Sequence, residues 1–103
     1  MKNYEGQNYA EVTNNGDRLV LIDFFATWCQ PCKILMPIVE ELALERDDVD
    51  FYKIDVDQHR EVAIGEKVSS IPTLVLYRKG ERLDSLTGVR TKQQLLEWLE
   101  QHK

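Results

Sequence analysis

The sequence predicts a single α/β domain over residues 1–103, with a mixed central β-sheet of about four to five strands and helices on both faces. Two observations predict it. Strand-like and helix-like patterns alternate along most of the chain, which favours parallel strands joined by right-handed crossover helices. Near the C-terminus two strand patterns follow each other directly, which adds an antiparallel hairpin before the last helix.

A short helix and a buried strand come first. Three side chains near the N-terminus have weak helical spacing: Tyr9, Ala10 and Val12. The turn-forming residues 14–16 end this helix. Residues 19–25 are apolar except for Asp23, which predicts a strand covered on both faces, as in a parallel sheet between helices.

A longer helix is predicted after residue 29. Its apolar residues recur at i, i+3, i+4 and i+7, as on one helix face: Leu35, Ile38, Val39 and Leu42. Pro31 fits the first turn, where its missing N–H costs little, whereas Pro37 lies inside the pattern and predicts a kink. We expect this helix to end near residues 46–48.

The middle of the chain continues the alternation. Residues 51–56 predict a second core strand, and residues 58–67 predict a short helix. Residues 73–77 are rich in good strand formers and predict a third strand. A turn at Lys79-Gly80 then leads into an antiparallel strand over residues 81–86.

The last helix is predicted by its first turn and by its apolar face. Thr91 and Gln94 have the spacing of a capping box. The apolar residues beyond it fall on one face: Leu95, Trp98 and Leu99. The predicted order is therefore helix, strand, helix, strand, helix, strand, strand, helix.

Charge and hydropathy exclude several classes of partner. The net charge is −5, and the lysines and arginines are scattered without a basic run, which disfavours a nucleic-acid or anionic-membrane partner. No apolar run reaches membrane-spanning length, and residues 1–8 lack the apolar core of a secretory signal. We therefore expect a cytoplasmic monomer. In that compartment a disulfide is more often catalytic than structural.

The two cysteines form a CxxC motif, Cys29-Gln30-Pro31-Cys32, between a predicted strand and a predicted helix. The unpaired N–H groups and partial positive charge of a helix N-terminus favour the thiolate, which is the nucleophile. We expect Cys29 to expose a reactive sulfur, and Cys32, one turn further on, to be more buried. The spacing lets the two sulfurs bond without large backbone movement.

Three other interpretations of the motif stay open at this point. A structural disulfide would close a very short loop and gain little chain-entropy stabilisation. A zinc site needs about four ligands, and the only histidines, His59 and His102, lack metal-finger spacing and are interpreted as surface residues. A CxxC can also arise by chance. We predict no metal and no bound cofactor.

The sequence resembles the thioredoxin family over nearly its whole length. The matching blocks are Asp23 to Cys29, the CxxC, Pro37, residues 53–57, residues 70–73, Gly80 and Gly88. The resemblance implies the thioredoxin fold and a protein-disulfide reductase that works through a reversible Cys29–Cys32 disulfide. It also implies reduction by a separate NADPH-dependent thioredoxin reductase. Two residues depart from the family pattern: Gln30 stands where Gly is usual, and Phe25 where Trp is frequent.

Asp23 is the most informative polar residue outside the motif. A carboxylate inside an apolar strand has a large desolvation cost, so its pKa should rise. We predict that Asp23 accepts the proton of Cys32 as that residue attacks the mixed disulfide, and the resemblance implies the same role. Lys53 would face Asp23 from the neighbouring strand and tune it; a solvated strand lysine is the alternative.

A substrate-binding surface is expected around the motif. An X-Pro bond in a folded protein is cis in only about 5–6% of cases, so the sequence alone favours trans at Ile71-Pro72. The resemblance implies a cis bond beside the cysteines, with the Ile71 backbone offered to an extended substrate. Three further residues lie beside the reactive sulfur in sequence and would contact the substrate: Trp28, Gln30 and Pro31. Gly88 would leave room near Pro72, unless it is a plain turn glycine.

The direction of the reaction follows from what lies between the cysteines. Gln30 lacks the positive charge that favours the thiolate in oxidising members, so we predict a reducing protein. A glutaredoxin-like, glutathione-linked reductase is a second hypothesis, disfavoured because Pro31 precedes the second cysteine instead of following the first. A redox-inactive binding module is a third, against which both cysteines argue.

Overall fold

A five-stranded mixed sheet organises the computed structural model, which describes residues 1–103. The elements in chain order are β1 Lys2–Asn3, α1 Tyr9–Val12, β2 Leu19–Phe25, α2 Gln30–Glu45, β3 Val49–Asp55, α3 Arg60–Gly65, β4 Thr73–Arg78, β5 Glu81–Thr87 and α4 Lys92–Gln101. The strand order is β1-β3-β2-β4-β5, with β1, β3 and β2 parallel and β4 and β5 antiparallel to their neighbours. The predicted fold class is confirmed.

Two apolar cores lie on opposite faces of the sheet. One joins Leu21 of β2 to the buried faces of α2 and α4, and the other joins Ile22 to α1 and α3. The alternation of side chains along β2 produces this division, so Asp23 points to the same face as Leu21. Because β2 is the central strand, the CxxC motif that follows its C-terminal end lies at the middle of the sheet.

The predicted element boundaries agree with the structure to within a few residues. β3 begins at Val49, because Val49 pairs with Leu19 at the start of the parallel ladder. The helix predicted at 58–67 is limited to Arg60–Gly65, and Lys67 adopts a φ of +58° just beyond it. The pattern missed β1, because two polar residues carry no periodic signal.

Several local signals worked as expected. Lys79 and Gly80 both have positive φ in the β4–β5 turn, as the tight hairpin requires. The Thr91–Gln94 capping box is present in full. α2 continues on both sides of Pro37, and the kink expected there stays a prediction. None of the helices combines the length and apolarity needed to span a lipid bilayer.

Candidate active site

Cys29 caps the N-terminus of α2, directly after the β2 strand. The Cys29 Sγ accepts a hydrogen bond from the Cys32 backbone N–H at 3.2 Å. Cys29 and Cys32 form a disulfide whose Cα atoms are 5.2 Å apart. The structure is therefore the oxidised form, and it places the first sulfur where unpaired helix N–H groups favour negative charge.

The expected exposure of Cys29 is wrong for this oxidised form. Cys29 is 4% exposed and Cys32 is 2% exposed, so the two hardly differ. The physical reason is packing: both cysteines cluster with Ala26, and three partly buried side chains cover that cluster, namely Phe25, Val56 and Ile71. The expectation that Cys32 is buried is confirmed.

Asp23 lies in the core behind the motif, at 1% exposure. Neither carboxylate oxygen has a hydrogen-bond partner in the protein. Burial raises the pKa of Asp23 to about 7, while the Lys53 ammonium opposes this rise and the Glu40 carboxylate adds to it. A carboxyl group that titrates near neutral pH can take up and release protons during turnover.

Lys53 lies next to Asp23, as expected. The two residues are partners in the parallel β2–β3 register and share the face that α2 covers. The Lys53 Nζ is also 3.5 Å from Glu40 Oε1 on α2. Sequence reasoning missed Glu40, although its spacing from Cys32 in steps of four through Met36 places all three on one helix stripe.

A cleft of about 280 Å³ opens between α2 and the ends of β2 and β3. It reaches Cys32 on one side and Lys53 on the other. Its lining residues are Phe25, Ala26, Thr27, Cys32, Lys33, Met36 and Lys53. The cleft therefore connects the second cysteine and the charged neighbour of Asp23 to the surface.

Trp28 is 65% exposed beside the disulfide, and Gln30 and Pro31 are exposed next to it. The Trp28 Nε1–H donates to Asp57 Oδ2 at 2.8 Å. This bond fixes the indole on the surface next to the motif. Asp57 was not singled out as a site residue, and only its place in the matching block at 53–57 could have indicated it.

The Ile71-Pro72 bond is cis, as the resemblance implies, and Ile71 packs against the cysteine cluster. Neither the N–H nor the C=O of Ile71 takes part in a hydrogen bond within the protein. Gly88 N–H donates to Pro72 O at 2.9 Å, with a φ of +92°. That φ disfavours any side chain, so glycine is required here by backbone conformation.

The two histidines are half-buried, which corrects their interpretation as surface residues. His59 packs edge-on against Tyr4, and His102 Nε2 lies 3.0 Å from Asp84 Oδ2. These are tertiary contacts between residues far apart in sequence, so no local pattern predicts them. No group of three or more His, Cys, Asp or Glu side chains has the geometry to hold a metal ion.

Comparison with known proteins agrees with this geometry. A family model described as thioredoxin matches residues 1–101. The chain is 45% identical over 80 residues to thioredoxin-2 of Saccharomyces cerevisiae, covering 78% of this chain and 77% of the relative. It is 41% identical over 97 residues to thioredoxin of Chlamydia trachomatis, covering 94% and 93%.

Solved structures agree as well. A mutant thioredoxin from Halobacterium salinarum superposes with a TM-score of 0.87 at 39% identity, covering 97% of this chain and 88% of that one. The thioredoxin of Fasciola hepatica gives a TM-score of 0.84 at 34% identity and covers both chains completely, at 100% each.

Proposed function

This chain belongs to the thioredoxin family and is a protein-disulfide reductase, and we propose that its electrons come from a separate NADPH-dependent thioredoxin reductase. The Cys29–Cys32 pair carries two electrons from that reductase to disulfides of protein substrates. Thioredoxin-family proteins need no bound cofactor for this exchange, because both half-reactions are transfers between sulfur atoms.

One observation carries the proposed assignment of roles: Cys29 Sγ caps α2 and accepts the Cys32 N–H. In the dithiol form the same N–H and the helix dipole stabilise a thiolate at Cys29. Cys29 is therefore the nucleophile. Cys32 lies one turn into the helix, beside the cleft, and is the resolving residue.

The reaction proceeds in two displacements. The Cys29 thiolate attacks a substrate disulfide, forms a mixed disulfide and releases one substrate thiolate. The Cys32 thiol then loses its proton to the Asp23 carboxylate and attacks Cys29 Sγ. The second substrate thiolate leaves, the substrate has gained two electrons, and Cys29 and Cys32 are left as a disulfide.

Asp23 suits the role of proton acceptor because burial holds its pKa at about 7. A base with a pKa near the working pH both takes up and gives back a proton readily. Lys53 tunes that pKa from the neighbouring register position on β3.

Substrate docks beside the disulfide in an extended conformation. The free N–H and C=O of Ile71 form hydrogen bonds with the substrate backbone. The substrate thus pairs with Ile71 as a neighbouring β-strand would, over a single residue. Trp28, Gln30 and Pro31 supply the exposed surface on the other side of the sulfur. Pro72 and Gly88 form the bottom of this binding surface, where the Gly88 N–H donates a hydrogen bond to Pro72 O.

The direction of transfer is reduction, because Gln30 brings no positive charge next to Cys29. The expected potential is near that of thioredoxin, ~90 mV below that of protein disulfide isomerase. Equilibration with glutathione buffers measures it, and a potential as high as that of the isomerase contradicts a reducing role.

The proposed setting is the cytoplasm, where residues 1–103 act as a monomeric single domain on disulfide-containing proteins. Nucleic acids and membranes are not partners, given the acidic net charge of −5. The glutaredoxin-like and redox-inactive alternatives are not favoured, since the family match and the cysteine disulfide support neither.

Insulin reduction with a thioredoxin reductase and NADPH tests the assignment. Cys29→Ser should abolish turnover, because the nucleophile is lost. Cys32→Ser should leave the first displacement intact and accumulate mixed disulfides, which can be isolated and their proteins identified. Mixed disulfides that form only through Cys32 would reverse the roles, and turnover that survives in Cys29→Ser would contradict catalysis by the cysteine pair.

A further inference from the structure

The Lys53 ammonium acts electrostatically on the Asp23 carboxylate but forms an ion pair only with the Glu40 carboxylate. Asp23 is its register partner on β2, yet neither Asp23 oxygen accepts a hydrogen bond from it. Its ion pair is with Glu40 Oε1, at 3.5 Å. The Lys53 side chain is 24% exposed and that of Glu40 is 50% exposed, so the pair lies at the surface end of the arrangement.

We propose that Glu40 is a positioning residue of the redox reaction, which holds the Lys53 ammonium away from Asp23 and thereby sets the proton affinity of Asp23. This inference rests on the proposed roles of Asp23 and Lys53. A buried carboxylate with an ammonium at hydrogen-bond distance would be held ionised and would not take up a proton near neutral pH. Glu40 prevents this by competing for the ammonium.

The surroundings of Asp23 contain few other charges that could do the same. From β4 its register partner is Leu74, and α4 buries only apolar side chains. On α2, Lys33 and Cys32 line the cleft, whereas Glu41 and Glu45 pair with Lys92 of α4; Cys29 caps the helix. In the oxidised protein those cysteines do not titrate, so Lys53 and Glu40 dominate the local field.

Glu41 supplies a matched control. It adjoins Glu40 on α2 and carries the same charge, but it pairs with Lys92 at 3.0 Å, on the side facing α4. A substitution of Glu41 therefore removes one negative charge from the same helix turn without touching Lys53. Any effect shared by both residues is a general charge effect, and any effect of Glu40 alone is local.

The test is a carboxyl NMR titration of Asp23 in the oxidised protein, made with Glu40→Gln, Glu41→Gln, Lys53→Met and the Glu40→Gln/Lys53→Met double variant. We expect Glu40→Gln to lower the titration midpoint of Asp23 by about one pH unit, the low end of the effect of a nearby opposite charge. Glu41→Gln should leave it unchanged and Lys53→Met should raise it. In the double variant most of the Glu40→Gln shift should vanish, because Glu40 acts through Lys53.

A midpoint that is equal in Glu40→Gln and Glu41→Gln overturns the proposal. So does a Glu40→Gln shift that persists at full size without Lys53, since Glu40 would then act by its own field. A kinetic readout in the reduced protein accompanies the titration: Cys29 is labelled with thionitrobenzoate, and its release by Cys32 is followed against pH. The pH midpoint of the release rate should shift between variants in the same direction as the titration midpoint of Asp23.

The same readout separates the two levels of inference. If Asp23→Asn leaves the pH profile of thionitrobenzoate release unchanged, the proposed proton acceptor is wrong. If Asp23→Asn changes the profile and Glu40→Gln does not differ from Glu41→Gln, only the role of Glu40 is wrong.

Discussion

Polar groups are buried on both faces of the sheet, but only the face toward α2 contains a buried side chain whose polar atoms have no partner. On the face toward α1 and α3, the Tyr9 hydroxyl donates to the Tyr77 hydroxyl, which donates to Glu66. On the face toward α2, both oxygens of Asp23 lack a partner. Burial of a polar group without a partner costs free energy, whereas a paired group contributes to stability.

The two faces therefore differ in what their buried polar groups do. The tyrosine chain ties α1, the end of α3 and β4 together, and burial raises the pKa of Tyr9 and of Tyr77, so both stay protonated. On the other face, burial raises the pKa of Asp23 to about 7, so this group titrates near neutral pH. Unpaired polar groups in a native core call for an explanation, and the proposed proton transfer at the CxxC would provide one here.

The largest effect on the difference between the two faces is expected for Asp23→Asn. The folded protein holds the Asp23 proton more tightly than the unfolded chain, with a pKa of about 7 against 3.8. Wild type therefore loses stability as pH rises between those values, and the neutral amide does not. We expect the variant to match wild type near pH 3 and to be more stable by about 4 kcal/mol at pH 8.

Urea unfolding across that pH range measures the difference. It should grow between the two pKa values and then level off, while the rate of resolution falls. A constant difference at every pH would mean that Asp23 has the same pKa in the folded and the unfolded protein, so that burial does not raise it.

Tyr77→Phe tests the satisfied face. It removes the hydroxyl that links Tyr9 to Glu66 and leaves both without this partner. We expect a loss of about 1–3 kcal/mol, with insulin reduction unchanged. Combining it with Tyr9→Phe should cost less than the sum, because the two residues share one hydrogen bond. Loss of activity in a folded Tyr77→Phe protein would show that this face contributes to the chemistry after all.

The smallest effect is expected at Lys67, at the end of α3. Its φ of +58° is unfavourable for a side chain. Lys67→Gly removes that strain but increases the entropy of the unfolded chain, so the net gain should be about 0.5 kcal/mol. Thermal unfolding measures it, with activity as the control. A clear loss of stability would indicate that the Lys67 side chain makes a contact worth more than the strain.

The parts of the site that follow from local pattern could be predicted from the sequence. The CxxC between a strand and a helix, and a lone carboxylate in an apolar strand, gave Cys29, Cys32 and Asp23 directly. The expectation that Lys53 faces Asp23 from the neighbouring strand agrees with the β2–β3 register. These features depend on periodicity and helix ends, which the sequence encodes over a few residues.

The rest depends on which distant side chains meet. Glu40 is a surface glutamate until α2 packs over β3, and Asp57 is a loop aspartate until it accepts the Trp28 N–H. The burial of Cys29 required the loop with Ile71 to fold over it. Such contacts are set by tertiary packing, so neither spacing nor residue type specified them.

In the proposed mode of binding, the open backbone of Ile71 also determines how long a substrate stays. One residue offers one N–H and one C=O, and two hydrogen bonds contribute about 1–3 kcal/mol in total. That corresponds to a gain in affinity of roughly 5- to 150-fold over random encounter. The strand that leads into the motif, β2, has no free edge for a substrate, since it is flanked by β3 and β4. A polypeptide bound this way remains attached mainly through its mixed disulfide, and once that bond is resolved it dissociates quickly, whatever its sequence.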